Sequence, residues 1–359
     1  MGFIRLLLAI SVIIAHSYPI FGLKLLGGEG AVQAFYVISG FYMTFILNEK
    51  YIGKNGSYKL FITNRLLRLY PVYWTVLLLA VMIAFISALQ SSGVDFGKMQ
   101  PYKDYISTMN PVSLIFLIFT NLFMLFQDTV MFLGLNTSTG HLFFTPDFRQ
   151  TDPQLYSFLM VPQAWTIGIE IMFYLIVPFL VKRKWWVISI IIFLSVLLRI
   201  VLYQNGLKHD PWSYRFFPTE IVYFLLGMLS YSVYKKLQNL KPRAIYLYLV
   251  FGFILCFTLL FDRIPMHGKS YLFLVTFSAC IPFIFFMSRK WKIDRYLGEL
   301  SYPIYISHIL VQTVLIQLNV EDIGIGKGLT LTMVTILVAV ILNEFVMKRL
   351  ELVRQARVK

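Results

Sequence analysis

Charged side chains are scarce here: 14% of the 359 residues, against roughly a quarter in a soluble globular domain. Water is therefore excluded as the main solvent. Cysteine is nearly absent, and Cys256 and Cys280 both fall inside apolar runs, which excludes a disulfide framework and leaves the redox compartment open. Acidic residues are few, 17 against 32 basic, for a net charge of +15. A nucleic-acid binder would need a basic face on a soluble domain. These basic residues instead sit in short connecting loops, so no nucleic-acid partner is expected. Signal-peptide processing is not expected either. The run Leu6 to Ala15 after Arg5 imitates a leader, but His16-Ser17-Tyr18-Pro19-Ile20-Phe21 offers no small-residue cleavage site. No linker, low-complexity stretch or internal repeat is found, so residues 1–359 read as one transmembrane domain.

What is present is apolar sequence, 58% of the chain, in runs close to the roughly 20 residues that cross a bilayer as helix. Such runs lie near 4–21, 31–47, 71–90, 112–133, 162–181, 185–203, 216–234, 244–261, 271–288, 301–318 and 328–347. Lipid offers no partner to a free backbone amide, so the expected fold class is all-α: a polytopic transmembrane helical bundle. Basic residues favour the cytoplasmic side. Lys50, Lys54, Lys59, Arg65 and Arg68 place the loop after the second run inside, with the N-terminus. Lys182-Arg183-Lys184, Lys235 to Arg243, Arg289 to Arg295, and Lys348, Arg349, Arg354, Arg357 and Lys359 do the same further on. These clusters alternate only if about ten runs cross. The run at 112–133 is then a re-entrant or peripheral segment, and 134–161, with His141, Asp147, Arg149 and Asp152, faces outward.

Ionisable residues inside such runs are costly and ordinarily face a polar cavity. Arg5 and His16 are eleven positions apart, which puts them on one helical face roughly 16 Å apart, near the cytosolic rim and near the midplane. The structural alternative is a snorkelling arginine and a histidine bonded to a neighbouring helix. Ser39-Gly40 reads first as a point of close helix approach, ahead of catalysis by Ser39. Arg65 and Arg68 share a face at the membrane edge and suit either phosphates or anionic lipid head groups. Glu170 is expected roughly 12 Å deep, level with His16, where a carboxylate can orient an imidazole base; the alternative is a bond to a serine or tyrosine. His308 follows Ser301, an expected N-cap, and Pro303, expected in a first turn. That puts it about 10 Å from the cytosolic face, available to a donor or to a neighbouring helix. Glu344 and Lys348 read as a surface ion pair.

In this order, these segments resemble the membrane acyltransferases of type 3, over nearly the whole chain. The family's helix-one arginine and histidine are matched by Arg5 and His16. Its Phe-Phe-Val-Ile-Ser-Gly-Phe is matched up to Phe41, with Tyr36 replacing one phenylalanine. Arg-Arg-x-x-Arg before a proline is matched by Arg65, Arg68 and Pro71, with Asn64 in place of the first arginine. Trp165, Glu170, Tyr174 and Pro178 match the middle motif, and Gly298 to His308 the late one.

The resemblance implies an acyltransferase moving an acyl group, usually acetyl, from acetyl-CoA or another cytosolic acyl-CoA to a hydroxyl of a cell-surface or exported carbohydrate. Exopolysaccharide, capsule and lipopolysaccharide are such acceptors. No metal is expected, and membrane lipid is the surrounding partner. His16, Glu170 and Arg5 are the expected catalytic residues, and Arg65, Arg68 and His308 the expected donor-binding ones, in a bacterial inner or plasma membrane with both termini cytoplasmic. Direct transfer and an acyl-enzyme on His16 remain alternatives, as does a transporter or flippase reading, which also uses polar residues at the midplane.

Overall fold

With no water to satisfy backbone amides, the apolar runs coil into helices. The computed structural model describes residues 1–51, 57–240 and 242–357. Of the basic residues that set the orientation, Lys54, Lys241 and Lys359 lie outside the described residues. In chain order the helices are α1 (Gly2–Ala15), α2 (Gly27–Ile46), α3 (Tyr58–Gln90), a short α4 (Gln100–Tyr105), α5 (Pro111–Phe123) and α6 (Trp165–Leu180). They continue with α7 (Trp185–Gln204), α8 (Phe217–Leu240), α9 (Ala244–Leu260), α10 (Lys269–Ser288), α11 (Lys292–Gln317), α12 (Lys327–Leu342) and α13 (Lys348–Ala356). Among the described residues the all-α expectation is met apart from one antiparallel hairpin, β1 (Leu133–Leu135) with β2 (Leu142–Phe144). Among the described residues seven helices, α2, α3, α6, α7, α9, α10 and α12, are long and apolar enough to cross a membrane. By length and composition alone the expected ten are thus not reached. Helix α1 has only 14 residues, while α8 and α11 carry the polar groups described below.

Helix α2 is the centre. Its Gly40 lies against α8, where an added Cβ would be 1.9 Å from the carbonyl oxygen of Phe224, and Gly227 of α8 meets the Val37 carbonyl equally closely. Close approach is therefore the role of Gly40, since any side chain would force the two backbones apart.

Several boundaries differ from the apolar runs; α3, for instance, starts at Tyr58 rather than near residue 71. Helix α1 stops at Ala15, because Ser17 turns its hydroxyl back to the Ile13 carbonyl at 2.8 Å and Pro19 disfavours a helical Tyr18. Helix α11 starts at Lys292 rather than near residue 301. Ser301 is thus no N-cap but bonds the Gly298 carbonyl within the helix at 2.7 Å, and Pro303 sits in its interior. A membrane helix tolerates such a proline because packed neighbours re-satisfy the freed groups. Helix α5 ends at Phe123, where Met124 takes a φ of 55°. Its last carbonyls are satisfied from α3: Tyr73 donates to Asn121, Trp74 to Leu122 at 2.8 Å and Tyr70 to Phe123. The chain then returns, and the amide of Asn110, before α5, donates to the carbonyl of Gly140 at 3.0 Å. The segment 111–139 therefore begins and ends in the same place.

Candidate active site

A cavity of about 600 Å³ opens between α1, α2, α3, α6, α10 and α11. Each wall residue is placed by a local device. Asp294, in the first turn of α11, accepts from the first amides of α1, Gly2 at 2.8 Å and Phe3 at 2.9 Å, and a negative group is favourable at such a helix start. Gly2 fits because an added Cβ would lie 1.4 Å from the Asp294 carbonyl oxygen. Arg5, one turn on, has its guanidinium 5.9 Å from the centre of the Tyr42 ring. The missing side chain of Gly298 leaves Arg5 its space: a Cβ there would come 3.4 Å from Nη1.

Deeper in the wall, Glu170 of α6 accepts hydrogen bonds from Ser39 at 2.5 Å and Tyr174 at 2.6 Å. Arg68 of α3 also lines the cavity, with Arg289, Lys290 and Arg295 where α10 passes to α11. Five cationic side chains thus share this wall with Glu170, Asp294 and Glu299. Tyr36, Thr166 and Tyr305 stand at the other end with Val32 and Phe35. The arrangement is cationic at one end and apolar with hydroxyls at the other, the polarity of an elongated molecule with an anionic head and a neutral tail.

Two histidines stand beyond the cavity. His16 is the residue after α1, and its ring centre is 5.1 Å from that of His308. His308, fully buried, is in turn 5.9 Å from the Tyr305 ring, so Tyr305 links the histidine pair to the cavity wall. Nδ1 of His16 lies 2.9 Å from the Val12 carbonyl oxygen, and Nδ1 of His308 lies 2.6 Å from that of Tyr305. A carbonyl only accepts, so both Nδ1 atoms carry hydrogen and the basic lone pair of each neutral ring is on Nε2. Nε2 of His308 is buried without a partner among the described residues. Gln312 donates to the His16 carbonyl at 3.0 Å and fixes the turn that carries it.

The sequence-based site residues therefore divide. Arg5, Arg68 and Glu170 line one cavity, whereas His16, His308 and Arg65 are not in its wall. Glu170 is engaged by Ser39 and Tyr174, not by His16. Helix α1 is short and leaves His16 at its end rather than mid-helix. His308 is 16 residues into α11, roughly 24 Å along it, and packs against His16. Arg65 is buried one turn before Arg68, 5.9 Å from the Phe61 ring, with Nε and Nη1 unpartnered among the described residues. Glu344 and Lys348 form their expected ion pair at 2.6 Å.

Sequence reasoning used Arg289 and Arg295 only for orientation and passed over Tyr42. It also missed a buried pair: Arg199 of α7 meets Glu220 of α8 at 2.7 Å, and Gln33 donates to Glu220 at 3.3 Å. The signal was available, since both are opposite charges inside apolar runs. Asp210 holds both Arg149 at 2.8 Å and Arg215 at 2.7 Å, which ties the 134–161 loop to the one before α8. Among the described residues no group of three His, Cys, Asp or Glu side chains is placed to hold a metal ion.

No solved structure matches the chain. An uncharacterized protein of Aquifex aeolicus (strain VF5) is 26% identical over 157 residues, covering 42% of this chain and 69% of that protein. The family model for an acyltransferase domain, acyltransferase 3, matches residues 1–344, so the chain belongs to the acyltransferase 3 family of membrane acyltransferases.

Proposed function

We propose that this acyltransferase takes its acyl group, acetyl or another short acyl, from a cytosolic acyl-CoA and delivers it to a hydroxyl of an exported or cell-surface carbohydrate. The cavity's polarity carries the reading: Arg5, Arg68, Arg289, Lys290 and Arg295 at one end suit the phosphates of coenzyme A, and the less polar far end suits the acyl thioester. The basic end is the cytosolic one, where the lysines and arginines between α10 and α11 satisfy the bias for positive loops inside. On this reading ten helices cross, the seven apolar ones with α1, α8 and α11, and α5 is re-entrant.

A hydroxyl with an alcohol-like pKa is a poor nucleophile, so a positioned base is worth roughly 10²–10⁴-fold in rate. His16 is that base: Nδ1 is occupied by the Val12 carbonyl, which leaves Nε2 to take the acceptor proton. His308 packs against it and links it through Tyr305 to the donor cavity. Oxygen attack on the thioester carbonyl forms the ester and breaks the carbon–sulfur bond, and the proton taken from the hydroxyl passes to the departing thiolate. Glu170 serves the donor side by ordering Ser39 and Tyr174 beside Arg5 and Arg68. The test is purified protein in liposomes given acyl-CoA and a glycan: thiol release together with an acylated glycan, read by mass spectrometry, is expected. Glycan crossing the bilayer without acylation would replace this reading by a transporter.

A further inference from the structure

Six tyrosines line the cavity, and most have their hydroxyls engaged. Tyr174 donates to Glu170, Tyr302 to the Leu69 carbonyl at 2.8 Å and Tyr305 to the Gln163 carbonyl at 3.0 Å, while Tyr234 accepts from Arg289. Tyr36 is different. It is 3% exposed, and its hydroxyl is shielded from solvent without a partner among the described residues. A buried hydroxyl in that state is uncommon and calls for an explanation.

Packing alone does not supply one. The ring stacks on Phe224, centres 4.5 Å apart and planes at 22°, a role that a phenylalanine fills equally well. Phenylalanine is also what the resembling family carries at this point of its motif. Glu220, one candidate acceptor, is already bonded by Arg199 and Gln33. Tyr36 lines the cavity, where a bound ligand can supply that partner.

The position selects which part of that ligand. Tyr36 lies six residues from Tyr42, roughly 9 Å along α2 from the level of the Arg5 guanidinium and further from the cationic mouth. With phosphates held at the mouth, the neutral arm of an acyl-CoA runs inward, and its deepest polar atom is the thioester carbonyl oxygen. Beyond Tyr36 the wall is Val32 and Phe35, which accept a small apolar acyl group.

We propose that the Tyr36 hydroxyl donates a hydrogen bond to the thioester carbonyl of the acyl donor and holds the oxyanion that forms there when the acceptor hydroxyl attacks. This rests on the acyl-CoA reading above. The oxyanion collapses with loss of the coenzyme A thiolate, so the hydrogen bond is strongest between the two bond changes and acts chiefly on the rate.

The test is Tyr36→Phe, which keeps the ring and its stacking. Wild-type turnover of acyl-CoA is the control for the acyltransfer reading, and its absence would sink that reading by itself. With wild type active, Tyr36→Phe is expected to lose at least about tenfold in kcat, towards the 10²–10³ typical of one oxyanion donor, with KM for acyl-CoA changed less than about threefold. An unchanged kcat overturns the proposal, and so does a loss confined to acyl chains with a polar terminus.

A second measurement does not depend on turnover. Difference infrared spectra of bound acyl-CoA, ¹³C-labelled at the carbonyl, are expected to show a lower carbonyl frequency in wild type than in Tyr36→Phe. Incorporating 3-fluorotyrosine at position 36 makes the donor stronger and is expected to lower the frequency further, which covers the case of a Tyr36→Phe that misfolds. Identical bands across the proteins in which the carbonyl is bound overturn the proposal.

Discussion

At the scale of single residues, the ionisable groups of the candidate site were legible in the sequence, and their relation was not. An ionisable group in an apolar run is visible because burying it is costly, which is how Arg5, His16, Glu170 and His308 stood out. Which of them meet depends on where helices begin and end. That is set by side-chain bonds such as Ser17 to Ile13 and Asp294 to the start of α1, not by hydropathy. Glu170 thus belongs with Ser39 and Tyr174, and His16 with His308. If His16 is the base, purified His16→Ala and His16→Gln should fold and bind acyl-CoA but keep less than about a tenth of wild-type turnover. More than that moves the base to His308, whose Nε2 is the next free lone pair. Labelled acyl groups trapped on wild type but not on His16→Ala would mean an acyl-histidine instead of direct transfer. The two arginines of α3 should separate in the same way. Arg68, in the cavity wall, should raise KM for acyl-CoA on substitution by alanine at least about tenfold, at an acceptor KM that barely moves. Arg65→Ala should change donor KM much less, since Arg65 is buried outside that wall. Equal donor effects would make both of them phosphate ligands.

Among the elements, α5 is the one whose character depends on the smallest number of bonds. Its run is as apolar as several crossing helices, and only the alternation of basic loops marked it as different. In the structure tyrosines and a tryptophan of α3 take the last carbonyls of α5, which lipid would leave bare, and Asn110 and Gly140 bring the two ends of the 111–139 segment together. The boundaries of α1 and α11 were not readable in this way, because an apolar run registers residues that enter lipid-like surroundings and not residues that continue the helix into polar ones. The re-entrant reading has a direct test. In a protein without Cys256 and Cys280, single cysteines at Ser107 and Thr137, both exposed, should be labelled from outside the cell by an impermeant thiol reagent. Arg183→Cys, in the basic loop after α6, should not. Labelling of only one of the first two would make α5 a crossing helix and invert every connection on one side of it.

For the whole molecule the proposed function raises the question of how one catalyst serves two substrates kept in different compartments. Acyl-CoA carries several charges and does not cross lipid, whereas an exported or cell-surface carbohydrate is built for the outside. The cavity begins at the basic mouth between α10 and α11 and ends at Tyr36 and Tyr305. The histidine pair lies past that end, towards the side where Asp210 clamps the 134–161 loop. On the proposed function donor and acceptor meet inside the protein from opposite faces, and no substrate needs to traverse it. Vesicles of defined orientation separate this from the alternatives. With acyl-CoA sealed on the side of the basic mouth and glycan added only to the opposite side, acylation should proceed. With both supplied on the side of the acceptor it should stop. Raising the salt concentration on the donor side should raise the apparent KM for acyl-CoA, since part of the attraction is between charges near water and is screened within about 10 Å at 0.1 M. Activity only when both substrates share the mouth side would mean that the acceptor is modified before export, and the protein's outward loops would then have no part in binding it.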